Sequence, residues 1–199
     1  MSYDAVILAN GEFPRKGGAA WGLLAGAKRV VACDGAAKTF RRRFGRWPTA
    51  VVGDMDSIGR VPAGVEAVRI PDQDSNDLEK AVRWCRARGW RRLVAVGASG
   101  KREDHAIGNV FRALELGIEL VSDFGRFVPF LGRVSFRVAK GTPVSVFAPD
   151  RATRMTSKGL EWPLDGVKFS NLYCATLNRA TAPRVTISSD RPALAYIAS

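Results

Sequence analysis

Aspartate side chains follow short apolar runs at several places in the first 125 residues, as they would where strands end in polar turns. They are Asp34, Asp54, Asp56, Asp72, Asp74, Asp77 and Asp104. The carboxyl ends of the strands in an open parallel sheet share one edge, and ligands bind there. We therefore expect these carboxylates to converge on one crevice. Asp54 and Asp56 are two residues apart, so an extended segment would point both toward the same face.

Carboxylates that crowd together repel one another unless a cation offsets their charge. Oxygen ligands without a His or Cys cluster favour Mg²⁺ or Mn²⁺ over zinc, and Mg²⁺ typically binds one or two carboxylates together with substrate phosphates. Phosphoryl-type transfer is the chemistry that such a set of residues would serve. The alternative is that these aspartates are turn and capping residues, which is a common local use of Asp.

Glycine and basic residues lie close to the acids in the sequence. Gly97 and Gly100 bound a turn whose backbone can approach a phosphate closely. Nearby basic residues that can neutralise a phosphate are Lys80, Lys101 and Arg102. Asn10 and Gly11, after the first apolar run, form a second candidate turn for nucleotide contact. The sequence contains neither GxGxxG nor GxxxxGKS/T, so neither a dinucleotide fold of the usual kind nor a P-loop is supported.

Short apolar runs in the first part of the chain predict strands at 5–9, 29–33, 50–53, 67–70, 93–97 and 119–122. Helical spacing lies between several of them, most clearly from Asp77 to Arg88, where Asn76 can cap the helix. A second helix is predicted from Ala36 to Phe44. Strands that alternate with helices indicate an α/β fold with a mostly parallel sheet.

From about residue 126 the pattern changes to period-two alternation with frequent Gly and Pro, as in 134–138, 144–147 and 185–188. Nothing in this part has the spacing of a long helix, so we predict a small all-β sandwich. The expected organisation is an α/β domain at residues 1–125, followed by a β-sandwich domain at 126–199.

The formal net charge of +12 allows two interpretations. One is a basic nucleic-acid-binding module. However, no aromatic-rich basic stripe or known binding motif accompanies the charge, and this interpretation leaves the acidic turns unexplained. The densest basic cluster, Arg41–Arg43, fits the solvated face of the predicted helix at 36–44. We therefore expect no nucleic-acid partner.

No apolar run has the length of a membrane helix or a signal peptide, so we expect a cytoplasmic protein with no membrane partner. The cysteines, Cys33, Cys85 and Cys174, lack the spacing of a disulfide framework or a zinc site. We predict that all of them are packed thiols.

Several segments together resemble the successive motifs of the thiamine pyrophosphokinase family. They are Ile7–Gly11, Cys33–Ala36, Gly53–Ser57, Asp72–Ala81, Gly97–His105 with Asn109, and Gly159–Leu164. Their order and spacing are similar to those of the family, and together they extend over nearly the whole chain. The last of them, Gly-Leu-Glu-Trp-Pro-Leu, resembles the hallmark of the family's β domain.

The resemblance implies a Mg²⁺-dependent enzyme that moves pyrophosphate from ATP to the hydroxyl of thiamine and releases AMP. It also implies a homodimer with active sites at the subunit interface. Carried over residue by residue, the catalytic and metal-binding residues are Asp54, Asp56, Asp77 and Asp104. The implied ATP-binding residues are Asn10, Asp34, Gly35, Lys80, Gly97, Gly100, Lys101 and Arg102. The implied thiamine-binding residues are Gln73, Thr176 and Asn178.

Two positions depart from the family pattern. Lys101 stands inside a phosphate turn that usually reads Gly-Gly-Arg, and a lysine is tolerated there if its φ is negative. Leu177 replaces the serine of a late Ser-Asn pair, and Thr176 is the candidate to take over its hydrogen bond. The closest alternative function is the same transfer to another alcohol, such as a hydroxymethylpterin. The segment 159–164 favours thiamine.

Overall fold

The structure is a computed structural model that describes residues 3–59, 61–72 and 74–199. The chain forms two compact units: the first ends at Asp123 and the second begins at Phe124. Each unit has a buried apolar core of its own. Each can therefore bury the apolar sides of its own strands and helices.

The first unit alternates strands and helices. Its strands are β1 (Ala5–Leu8), β2 (Val30–Cys33), β3 (Ala50–Gly53), β4 (Glu66–Arg69), β5 (Leu93–Val96) and β6 (Glu119–Val121). Its helices are α1 (Ala19–Gly26), α2 (Ala36–Phe44), α3 (Asp77–Ala87) and α4 (Glu103–Leu116). Every residue of β1, β2, β3 and β5 is buried, as expected for strands with both faces covered.

All strand pairings given for the first unit are parallel, and the strand order is β6-β5-β1-β2-β3-β4. The chain runs outward from β1 through β2 and β3 to β4, and then returns to place β5 on the other side of β1. The order therefore reverses between β1 and β5, and a reversal of this kind leaves a crevice outside the carboxyl ends of the strands. The turns that follow β1 and β5 border this crevice.

The helix ends of the first unit follow from local chemistry. The side chain of Asn76 accepts a hydrogen bond from the backbone N–H of Glu79 at 2.9 Å, so α3 begins at Asp77. The helix α2 ends at Phe44, and the capping residue Gly45 takes the left-handed conformation with φ of 70°. The predicted N-cap and the predicted range of α2 are confirmed.

The second unit is built from antiparallel strands: β7 (Gly125–Arg137), β8 (Pro143–Phe147), β9 (Met155–Lys158), β10 (Ala175–Arg179) and β11 (Arg184–Ala198). The longest pairing joins β7 to β11 and shifts register between Ser189 and Ala193. Before the shift β11 also pairs with β9, and after it β11 pairs with β8. The bulge thus lets one strand serve two sets of neighbours around the core.

The predicted fold class, an α/β unit with a mostly parallel sheet followed by a β domain, is confirmed. Residues 124–199, all of which the structure describes, contain no helix. Within the described ranges, none of the helices has the length and apolar character needed to cross a membrane.

Candidate active site

The turns after β1 and β5 are hydrogen-bonded to each other. The backbone N–H of Gly11 donates to the carbonyl of Gly97 at 2.8 Å, and the N–H of Glu12 donates to that of Ser99 at 2.7 Å. A Cβ atom at position 11 would collide with these same carbonyl oxygens. Gly11 is therefore required for this close approach, which fixes the turn from Gly97 to Arg102, here named the phosphate turn.

The turn after β2 brings a buried carboxylate to the same edge. Asp34 is only 4% exposed, and its Oδ2 atom accepts a hydrogen bond from the backbone N–H of Ser57 at 3.0 Å. No donor in the described part of the chain reaches its Oδ1 atom. A Cβ at Gly35 would lie 3.2 Å from the Nδ2 atom of Asn10. The turns after β1, β2 and β3 therefore meet, as predicted for one sheet edge.

The turn after β3 does not have the extended conformation that we expected for Asp54 and Asp56. The strand ends at Gly53, and Met55 has a φ of 71°, so Asp54 and Asp56 do not lie on an extended segment. Instead, the Oδ1 atom of Asp54 accepts the backbone N–H of Asp56 at 3.1 Å. The expectation that both side chains point to one face as in a strand is wrong, because a local side-chain hydrogen bond closes a turn here. Asp56 is exposed.

The first turn of α3 carries the carboxylate of Asp77 and the amine of Lys80. Burial raises the pKa of Asp77, and the charges of Asp54 and Asp34 raise it further, while Lys80 lowers it. The Nζ atom of Lys80 lies 3.5 Å from Oδ1 of Asp77, and the lysine side chain is only 4% exposed. The carboxylates of Asp34 and Asp54 thus both act on that of Asp77, and we name these three residues the acidic edge.

Asp72 precedes α3 and serves its own turn. Its carboxylate accepts hydrogen bonds from the hydroxyl of Ser75 and from the backbone N–H of Asp74. These bonds hold its pKa below the ordinary value. The alternative interpretation of the aspartates, as turn residues, therefore describes Asp72 well.

Arg102 and Asp104 pair with each other at the surface. The guanidinium donates from Nη2 and Nε to the two carboxylate oxygens at 2.6 and 3.1 Å. The pair holds the pKa of Asp104 below its usual value. Both side chains are more than half exposed, so the pair can open at little cost when a ligand competes. The role of Arg102 toward triphosphate and that of Asp104 toward metal stay predictions.

Lys101 has a φ of 61°, so the condition that its φ be negative is not met. Its Nζ atom donates to the backbone carbonyl of Asn10 at 3.0 Å and lies 3.4 Å from the Oδ1 atom of the same residue. The lysine therefore bridges the turns after β1 and β5. It does so in a backbone conformation that favours glycine.

Within the described ranges, no three His, Cys, Asp or Glu side chains gather into a group that could hold a metal ion by themselves. The acidic edge nevertheless fits Mg²⁺, which takes only one or two carboxylates when substrate phosphates supply other ligands. The Oδ1 atom of Asp34 has no donor among the described residues. Burial first, and then the charges of Asp54 and Asp34, raise the pKa of Asp77, so a bound cation would stabilise its charged form.

Two basic residues at this edge escaped the sequence analysis. The Nζ atom of Lys38 donates to the carbonyl of Ser57 at 2.8 Å, and the Nε atom of Arg69 donates to that of Asp54 at 3.2 Å. Together they hold both ends of the turn after β3. The available signals were a lysine in the first turn of α2 and an arginine at the end of a strand next to β3.

A cleft of about 270 Å³ opens in the second unit, here named the acceptor cleft. Its lining includes Trp162, Cys174, Thr176, Leu177 and Asn178. Leu177 is 71% exposed and has a φ of 57°, so its side chain stands at the rim. Thr176 and Asn178, which the resemblance implies as thiamine-binding residues, both line this cleft.

The predicted thiamine-binding residues differ in their surroundings. Asn178 is buried, donates to the carbonyl of Trp162 at 2.7 Å and accepts its N–H at 3.2 Å. It therefore fixes the cleft wall, and a direct contact with thiamine stays a prediction. The hydroxyl of Thr176 donates to the carbonyl of Tyr173 at 2.9 Å, which leaves its oxygen free to accept. Gln73 lies outside the described residues.

The prediction of three packed thiols is wrong for Cys174. This residue is exposed, whereas Cys33 and Cys85 are buried. The hydroxyl of Ser170, 3.3 Å from the sulfur, and nearby backbone N–H groups lower the pKa of Cys174. Burial raises the pKa of the other two thiols. The acceptor cleft thus carries an accessible thiol with increased thiolate character.

Solved structures with this fold define a class of protein. A protein from Lactobacillus plantarum has a TM-score of 0.80 at 22% identity, with 98% of both chains covered. The thiamine pyrophosphokinase from Bacillus subtilis has a TM-score of 0.75 at 19% identity, again with 98% of both chains covered. The thiamin pyrophosphokinase from Candida albicans has a TM-score of 0.78 at 13% identity, over 99% of this chain and 89% of that one. The shared fold is an α/β unit followed by a β unit.

Two family models then match successive parts of the sequence. The thiamin pyrophosphokinase catalytic domain matches residues 20–120, and the substrate-binding domain of the same family matches residues 125–196. The chain therefore belongs to the thiamin pyrophosphokinase family, which confirms the resemblance.

Curated relatives agree with this membership. Thiamin pyrophosphokinase 1 of Caenorhabditis elegans is 34% identical over 114 residues, which cover 52% of this chain and 47% of that protein. Thiamine pyrophosphokinase 1 of Arabidopsis thaliana is 27% identical over 169 residues, or 72% of this chain and 62% of that protein. The matched region spans about half to three-fifths of these relatives' length.

The left-handed backbone at Lys101 should make the stability of variants depend on the residue at this position. We expect Lys101→Gly to be more stable than Lys101→Ala by about 1 kcal/mol, because only glycine adopts positive φ without strain. Both variants lose the contact of Nζ with Asn10, so the pair isolates the backbone effect. Urea unfolding of the two variants measures the difference. Equal stabilities would contradict the conformation described for this turn.

Proposed function

We propose that this protein transfers a pyrophosphoryl group from ATP to the hydroxyl of thiamine, giving thiamine pyrophosphate and AMP. The observation that carries the proposal is the convergence of the acidic edge and the phosphate turn at the topological switch point of the sheet. Membership of the thiamin pyrophosphokinase family supports it over a basic nucleic-acid-binding module.

The phosphate side of the reaction falls to the turns after β1, β2 and β5. Arg102, Lys80 and Lys101 bring positive charge toward the triphosphate, and the backbone of Gly97 and Gly100 allows its close approach. The remaining ATP contacts are assigned to Asn10, Asp34 and Gly35. Since phosphoryl transfer needs little covalent help, most of the catalysis comes from positioning and charge neutralisation.

The carboxylates serve the metal and the acceptor. Asp54, Asp56, Asp77 and Asp104 are the residues that would hold Mg²⁺, consistent with the partly unbalanced negative charge of the acidic edge. When bound, Mg²⁺ neutralises charge on the phosphates and acts as a Lewis acid. The hydroxyl oxygen attacks the β-phosphorus, the bond from this phosphorus to the α–β bridging oxygen breaks, and AMP leaves. One of these carboxylates, placed near the hydroxyl, would accept its proton.

Thiamine occupies the acceptor cleft in this proposal. The wall fixed by Asn178 gives the cleft a defined shape, and the oxygen of Thr176 can accept a hydrogen bond from the aminopyrimidine. Gln73 is assigned to thiamine by family resemblance alone. The cationic thiazolium of thiamine also suits an acidic surrounding.

A homodimer with active sites shared between subunits is part of the proposal and rests on the resemblance. Sedimentation equilibrium at assay concentration measures the mass directly. A monomer mass together with full activity would rule out a shared site.

The assay for the function combines purified protein, thiamine, ATP and Mg²⁺, with AMP and thiamine pyrophosphate measured. We expect both products, and we expect Asp54→Asn to lower turnover about 100-fold or more while the fold is kept, because asparagine preserves the shape but removes the charge. Glu66→Gln on the neighbouring strand is the control and should be near normal. Formation of ADP and thiamine monophosphate would contradict the proposal. So would activity toward a hydroxymethylpterin as acceptor with no activity toward thiamine.

The thiol of Cys174 gives a second test, of the acceptor cleft. We expect iodoacetamide to modify Cys174 in the folded protein and to spare the buried Cys33 and Cys85. Since the hydroxyl of Ser170 and nearby backbone N–H groups lower the pKa of Cys174, the pH at which alkylation reaches half its maximal rate should lie below that of an unperturbed thiol, and Ser170→Ala should move that midpoint upward. Thiamine should slow the labelling. If an active preparation gains no protection from saturating thiamine, the acceptor binds elsewhere.

A further inference from the structure

The side-chain amide of Asn109, on α4, bridges the phosphate turn and the start of α3. Its Nδ2 atom donates to the carbonyl of Ala98 at 2.9 Å, and its Oδ1 atom accepts from the Nδ2 atom of Asn76 at 3.2 Å. Asn76 in turn accepts the backbone N–H of Glu79 at 2.9 Å. Three consecutive hydrogen bonds thus connect the turn after β5 with the first turn of α3.

The direction of this chain of hydrogen bonds is fixed by the backbone at both ends. The N–H of Glu79 can only donate, so the oxygen of Asn76 faces it and the amino group of Asn76 faces Asn109. The carbonyl of Ala98 can only accept, so the amino group of Asn109 faces it. Each amide therefore has one orientation that satisfies all the bonds, and neither can flip without losing them.

Helix packing does not depend on this bridge alone. Toward the other end of both helices, the Nη2 atom of Arg86 on α3 donates a hydrogen bond to the backbone carbonyl of Leu116 on α4. The two asparagines lie instead at the end of α3 that carries Asp77 and Lys80.

We infer that Asn109 is a positioning residue for the proposed reaction, because it sets the distance between the phosphate turn and the first turn of α3 through its paired bonds with Ala98 and Asn76. This inference rests on the proposed function. The residues that would touch the triphosphate lie at one end of the bridge, and Asp77 and Lys80 lie at the other end. A bridge of this kind keeps the two groups in register when the phosphates bind between them.

The test compares Asn76→Ser, Asn109→Ser and the double variant. Serine at position 76 still caps α3 but is too short to reach Asn109, and serine at position 109 removes both of its bonds. We expect each single variant to lower kcat about tenfold, with KM for thiamine unchanged. The double variant should be no slower than the slower single one, because the bonds form one unit.

Arg86→Ala is the matched control for a merely structural role. It removes the hydrogen bond to Leu116 between the helices, so it should lower the melting temperature and leave kcat near normal. Folded bridge variants with kcat within about twofold of wild type would overturn the inference, as would single effects that multiply in the double variant.

Amide hydrogen exchange tests the bridge independently of the proposed enzyme activity. We expect Asn76→Ser, at the N-cap of α3, to speed exchange in the phosphate turn, whether or not the wild type turns over. Unchanged exchange there would overturn the bridge. A wild type that makes no AMP with thiamine would instead overturn the proposed function, and exchange would then report on the bridge alone.

Discussion

The structure of the first unit depends on how negative charge is held at the carboxyl edge of its parallel sheet. Asp34, Asp54 and Asp77 come from different turns and influence one another, and the protein offsets them with the buried Lys80 and a few N–H groups. This compensation is partial, since burial and neighbouring charge still raise the pKa of Asp77. Such an edge favours a cation and, through it, a phosphate-bearing substrate.

Backbone contacts keep these turns in place. Glycine at position 11 lets the turns after β1 and β5 pair directly, while Met55 and Lys101 adopt positive φ at a cost of about 1 to 3 kcal/mol each. Strain of this kind persists only where the surroundings determine the conformation, here through bonds such as that from Nζ of Lys101 to Asn10. The site is therefore largely formed before any ligand arrives.

The positions of the strands and helices could be predicted from local patterns. Buried parallel strands have continuous apolar runs, and a helix cap depends on residues only a few positions apart. The range of α2 and the role of Asn76 are examples. Long-range contacts could not be predicted: the position of Lys38 in the first turn of α2 does not specify that it contacts the carbonyl of Ser57, in the turn after β3. The turn at Asp54 and the exposure of Cys174 were misjudged, because side-chain hydrogen bonds in one case and packing in the other decide them. The ligand roles at both units stay predictions.

We expect the acidic edge to bind ATP only together with a divalent cation. The thermal midpoint of the protein with Mg²⁺ alone, with ATP alone and with both tests this expectation. A clear stabilisation should appear only with both, about 2.7 kcal/mol at a ligand concentration 100 times the Kd, because the carboxylates repel uncompensated phosphates. Equal stabilisation by ATP without any divalent ion, or none under any condition, would contradict it.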